Sequence, residues 1–332
     1  MDGWGQQLEA ERSHNEALRA EIEYAVTKAL DDAGIKIHSF TSRVKSLDSF
    51  QEKIGRKSYT DPFSEMRDIV GGRVVCLFMN DLERVDAVIR ENFEVSSYEN
   101  KAQAAPPDTW RYVSVHYDCT LGPKFSGARY DWINDRVFEI QVRTILQDAW
   151  ATVEHYLAYK GVNSVPDELR RDFSALAGLF HVADRSFEQL HNAALSTDIA
   201  AEQKLASIAS NTPVDYQARA EQNLDIDRST IKALLRQMFA DRKPADPWVY
   251  SEFVEELTDV QVYSIGDLRM LIERGLEAAL EHEEENPPVD NTTKETTRFK
   301  DVGIARQALD RVVPQFKDLR NQRLRARLGK RF

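Results

Sequence analysis

Apolar positions recur at helical spacing through the charge-rich opening segment, from Trp4 to about Ile35, and Gly34 marks its stop before a strand-like Ile35–Thr41. Between Arg43 and Lys57 the apolar residues Val44, Leu47, Phe50 and Ile54 again fall at helical intervals, so one face packs and the other is cationic. Asp61-Pro62 opens a turn into Phe63–Ile69. Arg73–Phe78 is a short, mostly apolar run between Gly71-Gly72 and Asn80-Asp81, the pattern of a buried strand followed by a capped helix over Asp81–Glu91. The polar stretch Ser97–Thr109, with Pro106-Pro107, reads as a loop of a length that is often functional.

Two alternating runs follow. In Tyr112–Leu121, Tyr112, Ser114, His116 and Asp118 share one face and Val113, Val115, Tyr117, Cys119 and Leu121 the other. In Arg136–Arg143, Val137, Glu139, Gln141 and Arg143 oppose Phe138, Ile140 and Val142. Thr144 is placed to cap a helix running to about Lys160, and Pro166–Asn192 reads as another helix. Strands interleaved with helices, with polar groups gathered on one sheet face, predict an α/β (α+β) catalytic domain over 43–195, preceded by a helical segment, 1–42. The remainder, 196–332, reads as helical. Its best-defined piece is Asp225–Glu281, an acidic and polar linker lies near 283–298, and a last helical stretch, Phe299–Leu328, is broken at Pro314.

Composition narrows the classes. At 332 residues, 42% hydrophobic and 30% charged, the chain can hold one sizeable core and a smaller second unit. No apolar run is long enough to cross a bilayer, and Met1–Glu11 lacks the segments of a signal peptide, so the expectation is a cytoplasmic protein without a membrane partner. A net charge of −11 argues against bulk coating of nucleic acid. Cys76 and Cys119 each sit inside an apolar strand-like run and read as buried thiols.

Two acids stand out chemically. Asp68 precedes the buried strand, beside glycines that let a backbone approach a ligand, and Glu139 sits mid-strand among apolar neighbours, where an ionised carboxylate needs a metal, a cation or a substrate. Each has a plainer alternative: Glu139 pairing with Arg143 or Arg73, Asp68 capping a turn, Tyr112 and His116 as half-buried strand residues, and the Arg43–Lys57 cations as a solvated face.

The order of segments decides between these readings. Arg43-Val-Lys-Ser-Leu-Asp-Ser-Phe-Gln-Glu-Lys53, then Arg67-Asp-Ile-Val-Gly-Gly-Arg-Val-Val75, then Arg111-Tyr-Val-Ser-Val-His-Tyr117, then Phe138-Glu-Ile-Gln-Val-Arg-Thr144 resembles the RelA/SpoT synthetase domain, particularly its small alarmone synthetase branch. Gln147-Asp-Ala-Trp-Ala-Thr-Val-Glu-His155, with Tyr159-Lys160, extends the resemblance, which covers about residues 20–195.

The resemblance implies a nucleotidyltransferase-like mixed sheet flanked by helices, and an ATP- and Mg²⁺-dependent pyrophosphokinase that moves the β,γ-diphosphate of ATP to the 3′-hydroxyl of GDP or GTP. Arg43, Lys45, Lys53 and Arg73 match its ATP-contacting cations, Asp68 its Mg²⁺ ligand, and Glu139 the acid that takes the hydroxyl proton or completes the metal site. Tyr112 matches the aromatic that stacks on the acceptor base, with His116 and Gln141 beside the acceptor, and Glu154 and His155 as an outer support for Glu139. The resemblance also implies a homo-oligomer.

Where family members that take GDP or GTP carry lysines, this chain has Gln103–Thr109, with Lys101 the nearest, and Trp110-Arg111 stand before Tyr112. The acceptor therefore stays open between a guanosine nucleotide, an adenosine nucleotide and the tRNA 3′ end, the last two as in toxin-like members. The six basic residues from Arg320 onward, with no acidic ones, are a candidate RNA contact or a charged helix end. A non-catalytic nucleotide- or partner-binding module is the reading from another class, and it predicts loss of Asp68, Glu139 or Tyr112, all present. About 40 residues precede Arg43, too few for an alarmone-degrading hydrolase domain, so the expectation is synthesis alone.

Overall fold

Two helices, α1 (Gly3–Ala10) and α2 (Arg12–Asp32), open the chain in the computed structural model, which describes residues 3–100, 114–158, 167–211, 217, 220–289 and 294–328. α2 buries Leu18, Ile22, Val26 and Leu30, four residues apart, on one face. It stops where Gly34 takes a left-handed φ of 62° and Ile35 N–H donates to the Leu30 carbonyl at 2.9 Å. β1 (Ile37–Val44) follows, then α3 (Leu47–Lys57), whose first turn is capped by Ser46, and the short α4 (Pro62–Glu65), capped by Asp61. The chain continues through β2 (Val70–Cys76), α5 (Asn80–Asn92), β3 (Glu94–Asn100), β4 (Val115–Thr120), β5 (Phe138–Thr144), α6 (Ile145–Ala158) and the long α7 (Arg170–Asn211).

The five strands form one sheet in the order β1-β2-β5-β4-β3. Only β2 and β5 run parallel; the other pairs are antiparallel, so the sheet is mixed. One face is the core: Val74, Cys76, Tyr117, Cys119, Phe138, Ile140 and Val142 pack with the buried stripe of α2 and with Val85 and Ile89 of α5. Each large side chain so buried contributes about 1.5–3 kcal/mol, and this apolar face fixes the register, because a one-residue slip of β5 would turn Glu139, Gln141 and Arg143 inward. Thr144 caps α6 as its sequence predicts: its hydroxyl accepts from Gln147 N–H at 3.1 Å, and Gln147 Oε1 accepts from Thr144 N–H at 2.9 Å.

Several elements differ from the sequence expectations. The cationic segment 43–57 is not one helix, since Arg43 and Val44 belong to β1 and helix begins only at Leu47. Ser97–Asn100 belong to β3, an edge strand whose exposure on both faces removes the apolar alternation that marks a strand. α5 starts at Asn80 with Met79 before it and no side-chain cap. Gly72 also has a packing reason of its own: a Cβ there would stand 2.9 Å from the Phe40 ring on the core side, while one on Gly71 would meet only ordinary contact at 3.8 Å.

The chain divides into two compact units, Met1–His191 and Asn192–Phe332. The second is helical: α8 (Arg228–Met238), α9 (Pro247–Asp259), α10 (Ile265–Glu285), α11 (Asp301–Val312) and α12 (Phe316–Leu328) surround Leu234, Phe253, Ile272, Val302 and Leu309. The chain breaks at Pro314 as predicted. Glu283 is not linker: it is buried in the last turn of α10 and grips Arg242 with both oxygens, at 2.8 and 2.7 Å. In the basic tail Arg320 pairs with Asp310 at 2.6 Å and Arg323 with Glu255 at 2.6 Å and Asp259, so these arginines serve the unit's own fold. No helix among the described residues is long and apolar enough to cross a membrane.

Candidate active site

The polar face of the sheet is a grid fixed by strand register. Arg43, Gly71, Glu139 and Asp118 form one row across β1, β2, β5 and β4, and Thr41, Arg73, Gln141 and His116 form the next. Over these rows lies a cavity of about 270 Å³ lined by Thr41, Ser42, Arg43, Asp68, Gly71, Gly72, Arg73, Glu139 and Gln141. Residues from three of the four sequence blocks thus line one cavity, and His116 of the remaining block stands opposite Gln141 on the same sheet face.

Asp68, just before β2, is held between two ammonium groups: Lys45 Nζ lies 2.9 Å from Oδ2 and Lys53 Nζ donates to Oδ1 at 2.8 Å. Lys45 itself is buried, with its backbone N–H bonded to the Ile69 carbonyl at 2.8 Å. Burial works against the Asp68 charge, yet the two lysines win and hold its pKa below the usual carboxylate value.

Glu139 is served on both oxygens. His116 Nδ1 hydrogen-bonds Oε1 at 2.8 Å, and Gln141 Nε2 donates to Oε2 at 2.6 Å. Burial raises its pKa, but the His116 and Gln141 bonds outweigh it, so the group is held below the ordinary glutamate range. The chain of bonds extends outward: Ser114 Oγ lies 2.6 Å from His116 Nε2, and Arg143 Nη2 donates to Gln141 Oε1 at 3.0 Å.

Arg73 and Arg143 stand side by side, and burial together with the Arg73 charge depresses the Arg143 pKa. Asp148, in the first turn of α6, neutralises both, at 3.0 Å from Arg73 and 3.5 Å from Arg143. The Nε atoms of both arginines are buried without a hydrogen-bond partner among the described residues, leaving donors for an anion. The plainer pairing of Glu139 with Arg73 or Arg143 is therefore not the one formed.

The site brings together Arg43, Lys45, Lys53, Asp68, Arg73, His116, Glu139 and Gln141. Tyr112 lies outside the described residues, as do Lys101, Tyr159 and Lys160. Glu154 and His155 are exposed on α6 rather than packed behind Glu139. Asp148 received no role from sequence, although an acid in the first turn of a capped helix is a readable signal. Asp118 was legible as a residue of the polar face, but its alignment with Glu139 required the register.

Chemically, the arrangement offers four cations for a polyphosphate, a carboxylate kept ionised to accept a proton, and a second carboxylate on the same wall. Two oxygen-donor acids facing one cavity suit Mg²⁺, which is ordinarily held by one or two carboxylates plus substrate phosphates. Among the described residues no three His, Cys, Asp or Glu side chains gather into a metal cluster.

The model of the "Region found in RelA / SpoT proteins" matches residues 42–164. The chain is 31% identical over 147 residues to the GTP pyrophosphokinase YwaC of Bacillus subtilis, a match covering 43% of this chain and 68% of that protein. It is 31% identical over 145 residues to the GTP pyrophosphokinase YjbM of the same organism, covering 42% and 65% respectively. Among solved structures, small alarmone synthetase 1 from Bacillus subtilis bound to its product pppGpp is similar, with 24% identity, a TM-score of 0.45, and coverage of 58% of this chain and 98% of that one.

Proposed function

The chain belongs to the RelA/SpoT synthetase family, a family of pyrophosphotransferases, and we propose that it moves the β,γ-diphosphate of ATP to the 3′-hydroxyl of GDP or GTP, making (p)ppGpp-type alarmones. The observation that carries this reading is the single cavity in which Arg43, Asp68, Arg73, Glu139 and Gln141 converge, with Lys45 and Lys53 on Asp68. We assign the reaction to the sheet-bearing part of the chain, over 43–195, and expect it to run in the cytoplasm, where its nucleotides are.

Arg43, Lys45, Lys53 and Arg73 bind the triphosphate, the arginines through paired N–H donors and the lysines as point charges. Gly71, with no side chain over the cavity, leaves the phosphates room against the backbone. Asp68 and Glu139 would hold Mg²⁺, whose chemistry when bound is to neutralise charge on the phosphates. Tyr112 stacks on the acceptor base and His116 lies beside the acceptor.

Glu139 accepts the proton of the 3′-hydroxyl as that oxygen attacks the β-phosphorus. The bond from the β-phosphorus to the oxygen bridging it to the α-phosphorus breaks, AMP leaves with that oxygen, and the acceptor gains a 3′-diphosphate. His116 and Gln141 aim the Glu139 oxygens, and Arg143 anchors Gln141.

The test offers γ-labelled ATP and Mg²⁺ with GDP, GTP, ADP, ATP and deacylated tRNA in parallel, with products separated by chromatography. Label is expected on GDP or GTP. Label on tRNA or an adenosine nucleotide instead would replace the acceptor assignment, and ATP binding without transfer to any acceptor would favour a non-catalytic module.

A further inference from the structure

β4 carries a carboxylate, that of Asp118, that no described residue holds by a hydrogen bond or ion pair. Asp118 lies directly opposite Glu139 in the β4–β5 pair, so the two side chains leave the same face of the sheet, with Cβ atoms about 4.5–5.5 Å apart. Glu139 is occupied on both oxygens by His116 and Gln141. No hydrogen bond or ion pair from any described residue reaches the Asp118 carboxylate; only its main-chain carbonyl is used, accepting from Ser96 Oγ at 3.1 Å. Half-buried beside Glu139, the carboxylate is pushed toward its neutral form by burial and by that acid, which the charges of Arg67 and His116 only partly offset. Its use is then to be sought in a ligand.

The position of Asp118 says which part of a ligand it meets. Glu139 faces the reacting 3′-hydroxyl, and the nearest polar group to that hydroxyl on a ribose is the 2′-hydroxyl, cis to it on the adjacent carbon. Two carboxylates opposed across one strand pair can each accept from one hydroxyl of such a diol. The base and the 5′-phosphates lie farther from the reacting oxygen than the 2′-hydroxyl does. We propose that Asp118 accepts a hydrogen bond from the 2′-hydroxyl of the acceptor ribose and so makes the enzyme select ribonucleotides over 2′-deoxyribonucleotides, an inference that rests on the proton-accepting role assigned to Glu139 above.

The test compares full-length wild type, Asp118→Ala and Asp118→Asn with ATP and Mg²⁺, using GDP against 2′-deoxy-GDP and ADP against 2′-deoxy-ADP. For the acceptor that is used, wild type favours the ribonucleotide in kcat/KM by about 10- to 100-fold, the scale of one hydrogen bond to a charged group. Asp118→Ala brings that ratio close to one. Asp118→Asn, which keeps the shape and one acceptor oxygen, retains part of the preference and still reads out the effect if the alanine variant fails to fold. A carboxylate with only a structural role would lower both members of a pair alike, and an unchanged ratio overturns the proposal. A wild-type ratio near one also overturns it while leaving pyrophosphoryl transfer intact. Wild type that transfers to none of the four nucleotides removes the functional reading, and the proposal with it.

Discussion

Glu139 and Asp68 are carboxylates whose neighbours keep them charged: His116 and Gln141 for the first, Lys45 and Lys53 for the second. Replacing either by its amide preserves shape and removes the charge, so Glu139→Gln and Asp68→Asn are each expected to lower kcat by about 100-fold or more. Circular dichroism should show both variants folded. The pH consequence has a definite sign. Both pKa values are depressed on folding, so the stability these acids contribute is complete above the unfolded carboxylate range, near pH 4. It is lost as pH falls through the lower folded values. Urea midpoints should be flat in this contribution from pH 6 to 8 and fall below about pH 4, with a shallower fall in Asp68→Asn; a midpoint dropping between pH 7 and 6 would contradict the assignment. Both acids were legible in the sequence because a charge in or beside an apolar strand is an anomaly. The pairing of Asp148 was not, because its partners Arg73 and Arg143 lie on two other elements.

At the scale of elements, what the sequence revealed depended on burial. β5 was plain because Phe138, Ile140 and Val142 are fully buried while Glu139, Gln141 and Arg143 are not, giving strict alternation. β3, at the sheet edge, has no such contrast, and its polar residues resembled a loop. The β1–α3 boundary blurred because Val44, Leu47, Phe50 and Ile54 sit at helical spacing although Val44 belongs to the strand. The Gly71-Gly72 pair looked like one ligand-approach motif, but the two faces of β2 give the glycines separate tasks. Gly72→Ala presses a methyl into the Phe40 ring and is expected to destabilise the protein by about 1–3 kcal/mol. Gly71→Ala should leave the denaturation midpoint nearly unchanged and instead raise the KM for ATP by narrowing the cavity. Equal midpoints for the two variants would remove the distinction.

At the scale of the molecule, the two larger hydrophobic cores among the described residues share no residue: one joins the sheet to α2 and α5, the other joins α8–α12 with Ala201 and Leu205 of α7. The helical character of the second was legible, but its tight crossing was not, since periodicity marks buried faces without pairing them. That crossing depends on Gly275 of α10, where a Cβ would stand 2.2 Å from the Ala308 carbonyl oxygen of α11, backbone against side chain with no flexible group to yield. Gly275→Ala should therefore cost the second unit at least about 1–3 kcal/mol, or roughly 5–10 °C in its melting transition. The first unit carries its own reporter. Cys76 and Cys119 are buried in the sheet core, and burial pushes both thiols up to about 12, so at pH 8 neither is a reactive thiolate until that core opens. Heating Gly275→Ala with a thiol reagent should show loss of helical signal at a lowered temperature while two thiols become reactive at the wild-type temperature. Separate cores permit this departure from a single two-state transition. Thiol exposure that moved down together with the helical signal would mean that the sheet unit depends for its stability on the helical one.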